Sequence, residues 1–244
     1  MAVHDSASLA SGKVGIHAGY DMANSDSVDI IVRGVGGHGA FPSGTKDPVV
    51  LSAQIINELQ TIVSRETSPL DPVVITVGSI HGGTKRNIIP DEVKLLLTVR
   101  TYKSEVRERV LSSIARVAKG VAMAAGFPDD RMPLVTVSES ESTPALYNDP
   151  ALTQRLTAAV GKQIGAANVV DVEPVMGSED FSRYSLDKTI PAVLMHVGAV
   201  EPAKIASGVP LPSLHSSKFA PAPVDVALHR AIETEVAMML ELLR

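Results

Sequence analysis

Between residues 27 and 141 the hydrophobic period of the chain switches repeatedly between two and about 3.6, and few folds satisfy that order. "SVDIIVRG", 27 to 34, alternates and is rich in β-branched residues, so it predicts a strand ending at a glycine. "DPVVLSAQIINELQTIVSR", 47 to 65, takes the helical period. Asp47 is its N-cap, Pro48 lies in the first turn, and Val50, Ile55, Leu59 and Ile62 share an apolar stripe. "PVVITVGSI", 72 to 80, and "EVKLLLTVRTY", 92 to 102, predict two strands joined by a long turn from 81 to 91. "SEVRERVLSSIARVAKGVAMAAG", 104 to 126, predicts a helix capped by Ser104 and stopped by Gly126, and "MPLVTVSES", 132 to 140, one more strand. Strand, helix, strand, strand, helix, strand is the ferredoxin-like βαββαβ unit, a four-stranded antiparallel sheet with both helices on one face. Its bare face and edge strand favour a homodimer formed through this domain.

The flanks have another rhythm. A helix over 148–165, a short strand in "NVVDV", a glycine turn and helix start in "MGSEDFSRY", and an apolar strand at 191–198 are expected. The loop "LPSLHSSKFAP" then leads to a final helix from about Val224 to Leu243, and "KVGIH" offers a further strand near the start. Helices alternating with apolar strands imply an α/β layer with a parallel sheet. Residues 1–26 and 142–244 are therefore expected to form part of an α/β domain, with 27–141 inserted in it. Two or three strands make a thin sheet, so that α/β domain reads as incomplete.

Composition narrows the function. The 244 residues carry a net charge of −5, scattered Lys and Arg, 3% aromatic residues and no tryptophan, which argues against nucleic acid as a partner. No apolar run reaches the roughly 20 residues of a membrane span, so no membrane partner is expected. The first residues, "MAVHDSASLASGK", lack the pattern of a secretory signal, and the chain has no cysteine; a cytoplasmic location is expected.

Seven histidines are the main candidates for chemistry. His229 reads as a surface residue, His196 as a satisfied core histidine in an apolar strand, and His17 has no supporting pattern. His4, His38, His81 and His215 each sit in or beside a glycine-, proline- or serine-rich loop. No HExxH, CxxC or GxSxG occurs, and "GVGGHG" does not open a helix as a dinucleotide fingerprint would.

The run "VDIIVRGVGGHGAFPSGTKDPVV" through "VRTY" resembles the lid, or dimerisation, domain of the metal-dependent amidohydrolases, aminoacylases and carboxypeptidases. Hippurate hydrolase and the indole-acetyl-amino-acid hydrolases are of this type. "MGSEDFSRY" and "LPSLHSSKF" are similar to two late motifs of the family's catalytic domain. The resemblance implies a hydrolase that cleaves the amide bond of an N-acyl amino acid, or a similar small molecule, with metal-activated water. It implies that His38 is the lid histidine that steadies the tetrahedral oxyanion, often at the partner subunit's centre. Its glycine neighbours would let the strand end come close to a substrate. Asn87 would contact the polar end of the substrate, with Ser178 and Glu179 beside the metal and substrate. His4 and His215 would be ligands of a divalent zinc, manganese or cobalt ion, although serine and alanine replace the family's usual Trp-Pro context after His4. The family's N-terminal segment, with its other metal ligands and general base, has no counterpart here, so a truncated form is expected. Two alternatives stand beside this reading: a metal-independent esterase using Ser178, Ser216 or Ser217 near His215, and a non-catalytic dimerisation module.

Overall fold

The computed structural model describes residues 1–244. Its strands are β1 (Ala2–Ala10), β2 (Val14–Ile16), β3 (Gly19–Met22), β4 (Ser25–Arg33), β5 (Gly37–His38), β6 (Val73–Gly82) and β7 (Ile88–Ile89). They continue with β8 (Glu92–Thr101), β9 (Leu134–Thr143), β10 (Leu146–Asn148), β11 (Val169–Asp171) and β12 (Leu194–Val200). The helices are α1 (Pro48–Thr61), α2 (Ser104–Ala124), α3 (Pro150–Ile164), α4 (Pro202–Ser207) and α5 (Val224–Leu242). No helix is long and apolar enough to cross a membrane.

The chain divides into two compact units, one of Met1–Met22, Leu146–Val175 and Asp180–Arg244, the other of Ala23–Ala145 with Met176–Glu179. Met176–Glu179, expected within the catalytic portion, thus groups with the lid. Two hydrogen bonds hold it there: the Ala23 N–H donates to Gly177 O at 2.8 Å, and Arg100 Nη1 to Met176 O at 2.8 Å.

In the lid unit the sheet order is β6-β8-β4-β9, antiparallel throughout, which is the ferredoxin-like order. Every second residue of β4 and β8 is buried: Val28, Ile30 and Val32 from one, Val93, Leu95, Leu97 and Val99 from the other. They meet Leu51, Ile55 and Leu59 of α1 and Val106, Val110 and Ile114 of α2 in one core. The stripe on α1 differs from expectation at one position. Leu51 is 1% exposed, whereas Val50 is 56% exposed and faces away. Asp47 caps α1 as expected, its Oδ1 accepting the Val49 N–H at 2.8 Å. Ser104 is the first helical residue of α2 rather than its cap; Lys103 holds that position and makes no side-chain capping bond. Gly126, at φ +70°, does stop the helix. The Phe127 N–H reaches Ala122 O and the Gly126 N–H reaches Met123 O, the paired bonds of a Schellman turn.

Beyond α1 the chain widens into a π-turn, Ile62–Glu66, that delivers Glu66 to Arg116 of α2. The hydrogen bond from Arg116, helped by Ser113, holds the Glu66 carboxyl below its ordinary range. A carboxylate with a lowered folded-state pKa contributes stability that is present above the ordinary glutamate range and lost as pH falls through the folded value. In Glu66→Gln, acid titration of stability should therefore lose part of its slope below the ordinary glutamate range, read by urea unfolding from pH 6 to pH 3.

In the other unit the sheet order is β1-β12-β2-β11, with β1–β12 and β2–β11 parallel but β12–β2 antiparallel. The expected all-parallel layer is therefore mixed. The sheet has four strands because "AVHDSASLA", where no strand was expected, is the nine-residue strand β1. A small β3–β10 ribbon stands apart from it. Val14, Ile16 and Met195 of this sheet pack on Leu156, Val160 and Ile164 of α3 and Met238 of α5. Arg155 of α3 and Glu241 of α5 pair at 2.9 Å. Gly198 lets β1 and β12 approach: a Cβ there would lie 1.9 Å from the Ala10 carbonyl oxygen. Gly198→Ala should cost about 3 kcal/mol, the upper end of overpacking, because backbone rather than a side chain must yield. A two-state denaturation series would measure it.

Candidate active site

The lid histidine is set by a short ribbon that local patterning does not reveal. β5 and β7 pair antiparallel, with Gly37 opposite Ile89 and His38 opposite Ile88. The Gly39 N–H then donates to Asn87 O at 2.8 Å, so the backbones of His38 and Asn87 lie side by side across about fifty residues of sequence. The neighbouring glycines have a more local reason than approach to a substrate. A Cβ on Gly34 would meet Lys46 O at 2.3 Å, and one on Gly36 would meet Ile89 O at 2.7 Å. They let the chain pass close to its own backbone. Asp91 fixes that passage, its Oδ1 accepting the Gly36 N–H at 3.0 Å.

The His38 ring is exposed, and its Nδ1 accepts the Ala40 N–H at 3.1 Å. An Nδ1 that accepts a hydrogen bond leaves the proton of the neutral ring on Nε2, so the outer nitrogen is a donor. Ser178 and Glu179 lie on the Met176–Glu179 segment of the same unit, and both are half-buried.

In the other unit, His4 lies on β1 directly opposite His196 on β12, with ring centroids 6.4 Å apart. His4 Nδ1 donates to the Asp5 carbonyl oxygen at 2.7 Å, which places the lone pair on Nε2. His196 Nε2 bonds Asp21 Oδ2 at 2.8 Å, and Asp21 is 1% exposed. That pairing matches the core-histidine expectation for His196, and no local pattern marks its aspartate. His17 lies 3.3 Å from Asp171, and His229 bonds Asp225 O on the exposed side of α5. His81 sits near the end of β6 rather than in a loop, its Nε2 2.7 Å from Ser79 Oγ. His215 is exposed on the segment after α4. Ser216 beside it turns to its own backbone, its Oγ accepting the Lys218 N–H at 3.2 Å.

A divalent metal needs converging donors, about three from protein for a catalytic zinc. No group of three His, Asp or Glu side chains that could hold a metal forms within this chain. His4 and His215 do not complete a site by themselves.

Residues 21–124 match the family model of the peptidase dimerisation domain, so the lid unit is of that class. Over 223 residues the chain is 34% identical to thermostable carboxypeptidase 2 of Saccharolobus solfataricus, covering 89% of this chain and 52% of that protein. It is 35% identical to the N-acetyl-L-cysteine deacetylase of Bacillus subtilis (75% of this chain, 42% of that protein). With the IAA-amino acid hydrolase ILR1-like 4 of Arabidopsis thaliana the identity is 33%, over 98% of this chain and 53% of that protein. The crystal structure of Bacillus subtilis YxeP, a dinuclear metal-binding peptidase, has the same fold. It gives a TM-score of 0.69 at 23% identity, over 98% of this chain and 56% of that one. The chain belongs to the M20 family of peptidases and amidohydrolases. It spans about half the length of the curated relatives it matches.

Proposed function

We propose that this chain serves a hydrolase that cleaves the amide bond of N-acyl amino acids or similar small molecules with water and a divalent metal. The observation that carries the reading is the lid histidine: His38, held beside Asn87, keeps its Nε2–H turned outward as a donor. Such a donor stabilises the oxyanion that forms when water adds to an amide carbonyl. Asn87 offers its carboxamide to the polar end of the substrate. Ser178 and Glu179 belong beside the substrate in this reading, and His4 and His215 to the metal. Zinc, manganese or cobalt each suit such a pair. The remaining donors have to come from outside these residues, in keeping with relatives about twice as long. A cytoplasmic location goes with a chain free of cysteine.

The test pairs elemental analysis with hydrolysis of N-acetyl-L-methionine and p-nitrophenyl acetate, with and without chelator. Bound metal with chelator-sensitive amide cleavage supports the reading. Chelator-resistant ester cleavage without metal would overturn it. The incomplete donor set favours one second reading, a dimerisation module without turnover, which metal-free and inactive protein would support.

The homodimer is proposed through the β6 edge. The other edge, β9, carries Glu139 and Glu141, which disfavour pairing, whereas β6 exposes Ile80 (57%) and no acidic side chain. Ile80→Glu should convert a dimer to monomer in sedimentation equilibrium without changing the circular dichroism spectrum.

A further inference from the structure

Beside the β5–β7 ribbon the lid carries a cavity of about 570 Å³, lined in part by Asp47, Val49, Gly82, Lys85, Arg86 and Ile88. Val49 and Ile88, 48% and 53% exposed, give it apolar surface. Lys85 and Arg86 also line it, in a turn closed by the Ile88 N–H donating to Lys85 O at 3.3 Å. That turn places Lys85, Arg86 and Asn87 consecutively on the outside, and all three are exposed.

The charge balance of the cavity is one-sided. Asp47 is committed to the α1 cap, where it accepts from Val49 and Val50, and nearby Asp91 accepts from Gly36. Neither acid pairs with Lys85 or Arg86. Some lid cations are paired, Lys94 with Asp29, Lys103 with Asp71 and Arg107 with Asp26, each at 2.7 Å, whereas Lys85 and Arg86 are among those that are not. Two adjacent cations without a carboxylate partner, next to an apolar wall, fit an amphipathic anion with more than one negative charge.

We propose that Lys85 and Arg86 are specificity-determining residues that select an N-acyl dicarboxylic amino acid, the acyl group lying on Val49 and Ile88. This rests on the N-acyl amino acid reading above, and it narrows the substrate class. The two cations supply charge for the side-chain carboxylate, while the Arg86 guanidinium adds a planar fork of donors. Nothing in the sequence marks either residue, because a Lys-Arg pair in a turn is ordinarily a solvated surface.

The test is calorimetric binding of N-acetyl-L-glutamate and N-acetyl-L-glutamine to the full chain at low salt, which needs neither metal nor turnover. The dicarboxylate should bind roughly tenfold more tightly, and the advantage should shrink as salt is raised. The double variant Lys85→Ala/Arg86→Ala should bind the two ligands alike. Lys94→Ala, a lid cation already paired with Asp29, should keep the wild-type preference. Equal affinity in the parent chain, no binding of either ligand, or a preference that survives the double variant would each overturn the proposal. Hydrolysis assays report separately. Turnover of N-acyl amino acids without acidic preference would sink this inference alone, whereas binding preference without any turnover by the metal-loaded, assembled enzyme would sink the hydrolase reading alone.

Discussion

Replacing Asp26 with alanine should destabilise the lid unit by about 3–5 kcal/mol, the cost of removing one partner of a buried ion pair. Asp26 is fully buried at the start of β4 and collects bonds from three directions. Arg107 of α2 grips it with Nε and Nη2 at 2.8 and 2.7 Å, and the Ser142 hydroxyl of β9 donates at 2.9 Å. Asn24 donates to it as well, while its own Oδ1 accepts from Thr101 at the end of β8. One carboxylate thus joins the ends of three strands to a helix. Its removal strands a half-exposed guanidinium and a buried amide with no acceptor. Arginine stays protonated at any ordinary pH, so Arg107 cannot relieve the loss by neutralising. Urea unfolding would measure the effect, and Asp26→Asn separates charge from shape. The amide can still accept one bond, so it should recover part of the loss. A change below 1 kcal/mol for Asp26→Ala would show that the hub does not hold the lid together.

What the sequence disclosed follows the physics of each element. β4 and β8 alternate because one face lies on the core and the other on a polar surface, where Asp29 pairs with Lys94. That contrast is what periodicity detects, and with the helices α1 and α2 it was enough for the ferredoxin-like order. β1 gave no such signal. It is an edge strand whose side chains are nearly all half-exposed, so neither alternation nor an apolar run marks "AVHDSASLA". Val50 and Leu51 show a different limit. Both lie within the angular width of an amphipathic stripe, and only packing decides which one is buried.

The site residues divide along the same line. Their identities came from motif resemblance, whereas their surroundings depend on contacts between distant segments. The His38–Asn87 adjacency needs the β5–β7 pairing, and the Asp21–His196 bond joins residues 175 positions apart. No local window contains either relation. The cations Lys85 and Arg86 were visible as letters; what was hidden is that the neighbouring acids are already engaged.

His38→Ala should lower kcat for amide cleavage by roughly 10²–10³, the usual loss when one oxyanion donor is removed, and leave KM nearly unchanged. The effect follows from the tautomer. Ala40 donates to Nδ1, so the neutral ring presents Nε2–H without any change at the moment of reaction. A donor fixed beforehand interacts more strongly with the developing oxyanion than with the ground-state carbonyl, and that difference appears in kcat. The ring is exposed and packs only loosely with Phe41, at 5.5 Å between centroids, so the thermal midpoint should move little. That separates a catalytic loss from a folding loss. His38→Gln can place an amide N–H in a similar region and should restore part of the rate, whereas His38→Phe keeps the bulk and should restore none. Turnover has to be measured on the metal-loaded, assembled enzyme. Equal rates for the alanine variant and the parent would remove His38 from the chemistry. A rise in KM with kcat unchanged would make it a substrate-binding side chain that acts alike on ground and transition states.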